Sequence, residues 1–165
     1  MQYLEPKTIA AAVKLMQDHE DARCLAGGQT LVAMMNAGLV DPTCLISLRK
    51  ISGLDTIRID HMGALTLGAM VTHARIAMEP RLRGALTVVR EAAAATAHPA
   101  VRNMGTIGGT LCHADPAADH PAAFVAADAE IEIAGPHGLR VISAEEFFVD
   151  YLSTALEAGE VVTAR

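Results

Sequence analysis

The sequence predicts an α/β protein with two lobes, and three observations support this fold class. Between residues 24 and 48 a strand, a Gly-rich turn, a helix and a second strand follow one another, as in a parallel β-α-β unit. From residue 56 onward the predicted strands come in pairs joined by short turns, which favours antiparallel pairing. Apolar residues make up 52% of the 165 residues, enough for a buried core that needs no metal or disulfide.

Composition and charge limit the classes of function. The formal net charge of -6, without any run of Lys or Arg, argues against a nucleic-acid partner. The cysteines are odd in number and widely spaced, which favours reduced thiols in a cytoplasmic protein: Cys24, Cys44 and Cys112. The start of the sequence does not resemble a signal peptide, and every apolar run is too short for a transmembrane segment. We therefore expect a soluble cytoplasmic domain.

The predicted first lobe begins with a helix that Thr8 caps. Its apolar residues, from Ile9 to Met16, recur at the spacing of one helical face. The lobe continues with a strand at 24–26, a Gly-rich turn at 27–30, a helix at 31–37 and a strand at 44–48.

The predicted second lobe begins with strands at 56–59 and 64–67 around a tight turn. Thr72 is expected to cap a short helix, and His98-Pro99 to end a long Ala-rich helix at 82–97. The remaining predicted elements are a helix at 121–127, a hairpin of strands 130–134 and 139–142, a helix that Ser143 caps and that carries Phe147, Phe148 and Tyr151, and a strand at 159–165.

A first glycine loop, Ala26-Gly27-Gly28-Gln29-Thr30, connects a strand to a helix. Glycines at such a turn let backbone amides approach an anion, and the helix N-terminus adds a partial positive charge. The spacing matches neither the Rossmann fingerprint nor the P-loop. A tight turn with glycines at positive φ explains the same residues, so both interpretations stay open.

A second glycine loop, Met104-Gly105-Thr106-Ile107-Gly108-Gly109-Thr110, offers several amides and two hydroxyls, which suit a pyrophosphate. Arg102 adds a positive charge, or else holds the loop by pairing with carbonyl groups. Asp119 is a candidate for binding ribose hydroxyls, as acidic residues do in dinucleotide sites. Its alternative role is to cap the helix that follows.

A metal site and a catalytic nucleophile are both disfavoured. The His, Cys and Asp residues between His98 and His120 lack the spacing of a strong metal site, so no metal ligand is expected. No Ser or Cys lies in a nucleophile elbow, so no catalytic side chain is expected either.

Three segments in register resemble the FAD-binding (medium) subunit of molybdenum hydroxylases, the family of aerobic carbon monoxide dehydrogenase and xanthine dehydrogenase. These segments are AGGQT, LGAMVTHARI and HPAVRNMGTIGGTLCHADPAAD. The resemblance implies the vanillyl-alcohol oxidase (PCMH) type of fold, an α+β domain with a small three-stranded parallel lobe and a larger mixed lobe. It implies that residues 1–165 form the FAD-binding domain, with lobes at 1–54 and 55–165, and that the family's C-terminal domain is absent.

The resemblance also implies the cofactor and its contacts. FAD is expected between the lobes, with its pyrophosphate on the two glycine loops. Thr110 departs from the family, which usually has Asn there. The implied cofactor-binding residues are Leu25, Ala26, Gly27, Gly28, Gln29, Thr30, Leu31, Val32, Thr106, Ile107, Gly108, Gly109, Thr110, Asp119 and Val162.

The resemblance implies an oxidoreductase subunit that transfers electrons and is not catalytically complete alone. A molybdopterin-binding large subunit hydroxylates the substrate, and an iron–sulfur small subunit delivers electrons to FAD, which passes them to an external acceptor. The cofactor supplies the chemistry in such proteins. Two alternatives stay open: a flavin-free domain of the same fold that holds a partner, and a nucleotide- or phosphate-binding module unrelated to redox chemistry.

Overall fold

A three-stranded parallel sheet forms the centre of the first lobe. The computed structural model describes residues 1–164. The strands β1 (Gln2–Leu4), β2 (Ala22–Leu25) and β3 (Cys44–Ser47) lie in the order β1-β3-β2. Cys24 of β2 pairs with Ile46 of β3, so the predicted β-α-β unit is confirmed. The short strand β1 was missed, because an exposed segment of three residues leaves no periodic apolar pattern.

Helix α1 (Ile9–Asp18) packs against this sheet, and α2 (Leu31–Asn36) follows the first glycine loop. The predicted cap of α1 is confirmed, because Thr8 Oγ1 accepts a hydrogen bond of 3.1 Å from the Ala11 amide. The core of this lobe contains Ala12, Val13 and Ile46, and Ala134 and Val161 of the larger lobe join it. The two lobes therefore share one apolar contact surface.

Antiparallel strand pairs make up the sheets of the larger lobe. Three strands, in the order β10-β6-β7, form the main sheet, and two hairpins accompany it. The strands are β4 (Ile57–Ile59), β5 (Leu65–Leu67), β6 (Glu130–Gly135), β7 (Gly138–Ser143), β8 (Phe148–Asp150), β9 (Ser153–Thr154) and β10 (Val161–Ala164).

Within residues 1–164 the larger lobe contains six helices. They are α3 (His73–Ala77), α4 (Thr87–Ala95), α5 (Pro99–Met104), α6 (Ile107–His113), α7 (Asp119–Ala126) and α8 (Ala144–Phe147). Phe124 and Phe147 are the largest fully buried side chains of its core, where Leu67, Ile76 and Leu82 also lie. With so few aromatic residues, the core consists mostly of Leu, Ile, Val and Ala, as the composition predicts.

Three predicted elements are wrong. The long helix at 82–97 is replaced by a 3-10 turn (Gly84–Leu86) and the shorter α4. The segment 98–119, expected to be a loop, contains α5 and α6, with Pro99 in the first turn of α5, where its missing amide costs nothing. Ser143 does cap α8, but this helix ends at Phe147, and Tyr151 is 72% exposed in a turn.

The helices of residues 1–164 include none that is long and apolar enough to cross a membrane.

Candidate functional site

The two glycine loops contact each other where the lobes meet. A Cβ added to Gly27 would overlap the carbonyl oxygen of Met104 and lie 2.8 Å from its carbonyl carbon. A Cβ added to Gly109 would lie 3.9 Å from the Ala26 Cβ. We call residues 26–30 and 104–110 together the loop junction. The structure thus brings together the two segments that the sequence predicts to share one ligand.

The first loop presents unpaired amides at this junction. Within residues 1–164 the backbone amides of Gly28, Gln29 and Thr30 donate no hydrogen bond. The Gln29 and Thr30 side chains are exposed, and Gly28 has a φ of +75°, which glycine adopts without the steric cost of a Cβ. The prediction of a positive-φ turn is confirmed at Gly28. The unpaired amides are also what an anion requires.

The amides of the second loop are mostly engaged within the protein. The Ile107 amide donates to the Val71 carbonyl and the Gly108 amide to the Ala69 carbonyl, each at 2.9 Å. The Gly109 amide donates at 3.3 Å to Oγ1 of Thr106, which caps α6. Few amides of this loop are therefore free to bind a ligand. The segment 69–73 runs beside the loop and accepts hydrogen bonds from its amides, and sequence alone does not indicate this tertiary contact.

Helix α6 turns one face to the core and another to solvent. Ile107 and Leu111 are buried in the core of the larger lobe, whereas Gly109 and Cys112 are exposed. Thr106 is also buried, and Thr110 is half-buried beside Gly109. Of the predicted contacts in the second loop, Gly109 and Thr110 are the ones that reach the exposed side of the junction.

Thr110 is hydrogen-bonded to a buried histidine, His73, for which the sequence motifs predict no role. His73 Nε2 lies 2.9 Å from Thr110 Oγ1. The rings of His73 and His120 have centroids 4.6 Å apart, and both residues are only 2% exposed. Burial, with the neighbouring His120 as a second cause, lowers the pKa of His73 to about 4. Burial lowers the pKa of His120 to about 4 as well, so both rings are neutral at pH 7.

Of the two roles predicted for Arg102, the structure supports the structural one, in which its side chain pairs with carbonyl groups. Its Nη1 donates to the carbonyl oxygens of Thr96 and Ala97, at 2.9 and 2.8 Å. These carbonyls follow the C-terminus of α4, where Ala97 has a φ of 40°. Arg102 therefore holds the connection between α4 and α5.

Asp119 is the first residue of α7, and its carboxylate is exposed. The N-cap is Ala118 and makes no side-chain capping bond, so the interpretation of Asp119 as the cap residue is wrong. A carboxylate in the first turn still stabilises the helix through its dipole. The ribose interpretation of Asp119 stays a prediction.

Val162, the remaining predicted contact, lies on β10 and is only 3% exposed. Its side chain packs in the same core as Ile107 and Leu111, so any cofactor contact would involve its backbone. Burial raises the pKa of the Cys24 thiol on β2 to about 12, so this thiol is protonated and unreactive at neutral pH.

A basic groove of about 350 Å³ lies between the lobes, apart from the junction. Arg49, Lys50 and Arg75 line it, together with Thr72, which forms a β-bridge with Thr106. Lys50 is paired with Glu5 at 2.7 Å, and Arg75 donates to the Asp55 carbonyl. Two of its three cations therefore already have partners within the protein.

Residues 1–164 contain no group of three or more His, Cys, Asp and Glu side chains that could hold a metal ion. The two histidines behind Thr110 thus stand as a pair without acidic or thiol ligands.

Comparison with known proteins decides the family. Residues 1–164 match the family described as the FAD binding domain in molybdopterin dehydrogenase. The chain belongs to this family. Its cofactor is accordingly FAD, and the predicted α+β fold of the medium subunit is confirmed.

Two relatives illustrate the match. A nicotine 6-hydroxylase medium subunit from Paenarthrobacter nicotinovorans is 35% identical over 164 residues, which are 99% of this chain and 57% of the relative. A carbon monoxide dehydrogenase medium chain from Afipia carboxidovorans is 39% identical over 163 residues, which are 98% of this chain and 56% of the relative. The chain therefore spans somewhat more than half of the length of these relatives.

A solved structure of carbon monoxide dehydrogenase from Hydrogenophaga pseudoflava, which lacks the Mo-pyranopterin moiety, superimposes with a TM-score of 0.95 at 37% identity. The match covers 99% of this chain and 57% of that chain. This FAD-binding family member thus shares the fold of a medium subunit over nearly its whole described length.

Proposed function

We propose that this chain is the flavin-binding electron-transfer component of a molybdenum hydroxylase. In this role it takes electrons from the iron–sulfur clusters of a partner subunit and passes them to an external acceptor. The observation that carries the proposal is the contact between the two glycine loops, residues 26–30 and 104–110, in a chain that matches an FAD-binding family. The lobes at 1–54 and 55–165 would hold FAD between them.

The groups exposed at the loop junction fit the polar part of FAD. A pyrophosphate requires hydrogen-bond donors that no side chain obstructs. The unpaired amides of Gly28, Gln29 and Thr30 meet this requirement, and Leu25, Leu31 and Val32 flank them. Across the junction Gly109 is exposed and carries no side chain, and Thr110 brings a hydroxyl. Thr106, Ile107 and Gly108 would support this surface from behind, and Val162 would contact the cofactor through its backbone.

The ribose of FAD would be bound by Asp119. Its exposed carboxylate has no partner within residues 1–164, and it lies just beyond α6 in the chain. An ionised carboxylate accepts hydrogen bonds from hydroxyl groups strongly. We therefore assign Asp119 to the ribose hydroxyls.

The protein positions the cofactor and contributes no acid–base chemistry of its own. Bound FAD supplies electron acceptance and release, as cofactors do in redox enzymes. The two histidines behind Thr110 do not ionise at neutral pH, because burial lowers the pKa values of His73 and His120 to about 4. These rings therefore add no charge behind the proposed pyrophosphate surface.

The partners would be a molybdopterin-binding large subunit and an iron–sulfur small subunit. Co-expression with two such subunits tests the proposal, with FAD content measured in the purified complex. We expect one FAD per copy of this chain. A chain that assembles with both subunits without FAD would instead support a flavin-free partner-binding domain of the same fold.

A further inference from the structure

His73 is held rigidly against the back of the second glycine loop. Its amide donates to the Gly105 carbonyl at 3.1 Å, at the start of α3. Its ring lies so close to Gly105 that an added Cβ there would be 3.1 Å from Cδ2 and 3.5 Å from Nε2. The ring therefore has little freedom to move away from Thr110.

The hydrogen bonds of the two buried rings are incomplete. His73 Nε2 bonds to Thr110 Oγ1, while Nδ1 of His73 and Nε2 of His120 have no partner within residues 1–164. A neutral imidazole has one N–H donor and one bare nitrogen acceptor. Because an orphaned buried N–H is rarer than an under-satisfied acceptor, the proton of His73 belongs on Nε2. His73 then donates to Thr110, and Nδ1 is the bare nitrogen.

This proton placement fixes the polarity of the Thr110 hydroxyl. Since Oγ1 accepts the hydrogen bond from His73, the Thr110 O–H is left to donate to another group. Within residues 1–164 it has no other side-chain or backbone partner. Thr110 is half-buried beside the exposed Gly109. Phosphate oxygens are acceptors only, so a ligand phosphate at the junction needs a donor at this position.

We propose that His73 is a positioning residue that holds the Thr110 hydroxyl as a hydrogen-bond donor toward FAD. The inference rests on the proposed function, since it concerns the same loop junction. His73 acts through Thr110 and makes no contact with the cofactor itself. The His120 ring packs against the His73 ring, with the two planes tilted by 46°.

A double-mutant cycle in the full chain tests this coupling, with FAD dissociation constants measured by flavin fluorescence. His73→Leu and Thr110→Val are each expected to weaken FAD binding about fivefold to tenfold, the effect of one hydrogen bond. The double variant should bind no more weakly than the worse single variant. His73→Gln should restore most of the affinity, because its side-chain amide can also donate to Thr110.

Two further measurements separate positioning from general stability. Val89→Ala removes buried volume from the same core and should lower the unfolding temperature while FAD affinity stays within about twofold of the wild type. In the unsubstituted protein, the nitrogen-15 NMR shifts of His73 should indicate a proton on Nε2. This spectrum does not depend on whether any variant folds.

The outcomes distinguish this inference from the proposed function. A wild-type chain that binds FAD, together with additive effects of His73→Leu and Thr110→Val, would overturn the role of His73 alone. A proton on Nδ1 would do the same, because Thr110 would then donate to His73. A wild-type chain that binds no FAD would overturn both proposals.

Discussion

Gly27 and the carbonyl group of Met104 are in such close contact that a Cβ on Gly27 would overlap the carbonyl oxygen. This contact joins the first glycine loop, from the small lobe, to the C-terminus of α5, from the larger lobe. Because the neighbouring group is backbone, it cannot turn aside as a flexible side chain would. The spacing of the two loops therefore depends on a missing side chain at position 27.

Gly27→Ala is expected to lower both the stability of the fold and the affinity for FAD. Overpacking of this kind typically costs about 1–3 kcal/mol, and it would separate the two loops. Gly38→Ala is a matched control, since a Cβ there meets nothing within 4 Å. Gly38 has a φ of +69°, so its substitution should cost about 1–2 kcal/mol of stability without changing FAD affinity. Urea unfolding and FAD titration of both variants check these expectations. Equal FAD affinities of Gly27→Ala and Gly38→Ala would contradict the role of Gly27 in spacing the loops.

Two adjacent glycines of the second loop are expected to respond differently to substitution. A Cβ on Gly108 would lie 2.6 Å from the Ala69 Cβ and 2.8 Å from the Ala69 oxygen, so Gly108→Val should destabilise the fold by about 3 kcal/mol. A Cβ on Gly109 has only Thr106 Oγ1 within 3.4 Å, at 3.1 Å. Gly109→Ala should thus preserve the fold and weaken FAD binding, because its methyl group lies where the ligand approaches.

Thermal unfolding and FAD titration distinguish these two glycines. If Gly109→Ala binds FAD as tightly as the wild type, Gly109 is not part of the contact surface. If Gly108→Val is as stable as the wild type, the close packing of Gly108 on Ala69 is wrong.

Much of the fold was predictable because it follows from local patterns. The α1 cap at Thr8, the turn at Gly28 and the hairpin of β6 and β7 each depend on a few neighbouring residues. Helices α5 and α6 were missed, since their Gly, Thr and Pro residues have weak intrinsic helix preference. Contacts with distant segments stabilise them instead, such as that of Gly108 with Ala69.

The candidate site was predictable in its location more than in its chemistry. Resemblance to the family selected both loops and Asp119. The amides of Ile107 and Gly108 donate hydrogen bonds to carbonyls of segment 69–73. This is a long-range contact, which hydrophobic periodicity does not reveal. His73 was missed for the same reason: nothing in the sequence around it indicates that Thr110 is its partner.

Asp119→Ala is expected to weaken FAD binding by roughly 1.5–3 kcal/mol, the effect of a hydrogen bond to a charged group. Its effect on stability should be small, about 0.5 kcal/mol, because the exposed carboxylate contributes only through the helix dipole. Asp119→Asn keeps one acceptor oxygen, so its FAD affinity should lie between those of the wild type and of Asp119→Ala. FAD titration of the three proteins checks this order of affinities. If Asp119→Ala binds FAD as tightly as the wild type, Asp119 only stabilises α7 through the helix dipole.

The buried histidines predict a loss of stability in mild acid. The pKa values of His73 and His120 are about 4 in the folded protein, below the ordinary 6.5, because burial disfavours the charged rings. The unfolded chain therefore binds more protons between these values, and stability falls as pH drops from 6.5 toward 4. Each histidine contributes at most about 3 kcal/mol to this fall.

His120→Phe isolates this contribution, since it keeps an aromatic ring and removes one titrating group. The free energy of unfolding in urea, measured at about pH 7 and about pH 4.5, should fall by less in this variant than in the wild type. Acidic side chains titrate in both proteins and cancel in the comparison. Equal falls would show that His120 is protonated as readily in the folded state as in the unfolded one.

Direct titration of the purified chain with FAD tests the central claim, that the loop junction binds the flavin cofactor. We predict saturation at one FAD per chain, flavin absorbance that persists after dialysis, and weaker binding of ADP alone. A protein that stays colourless after FAD addition and dialysis would contradict the claim.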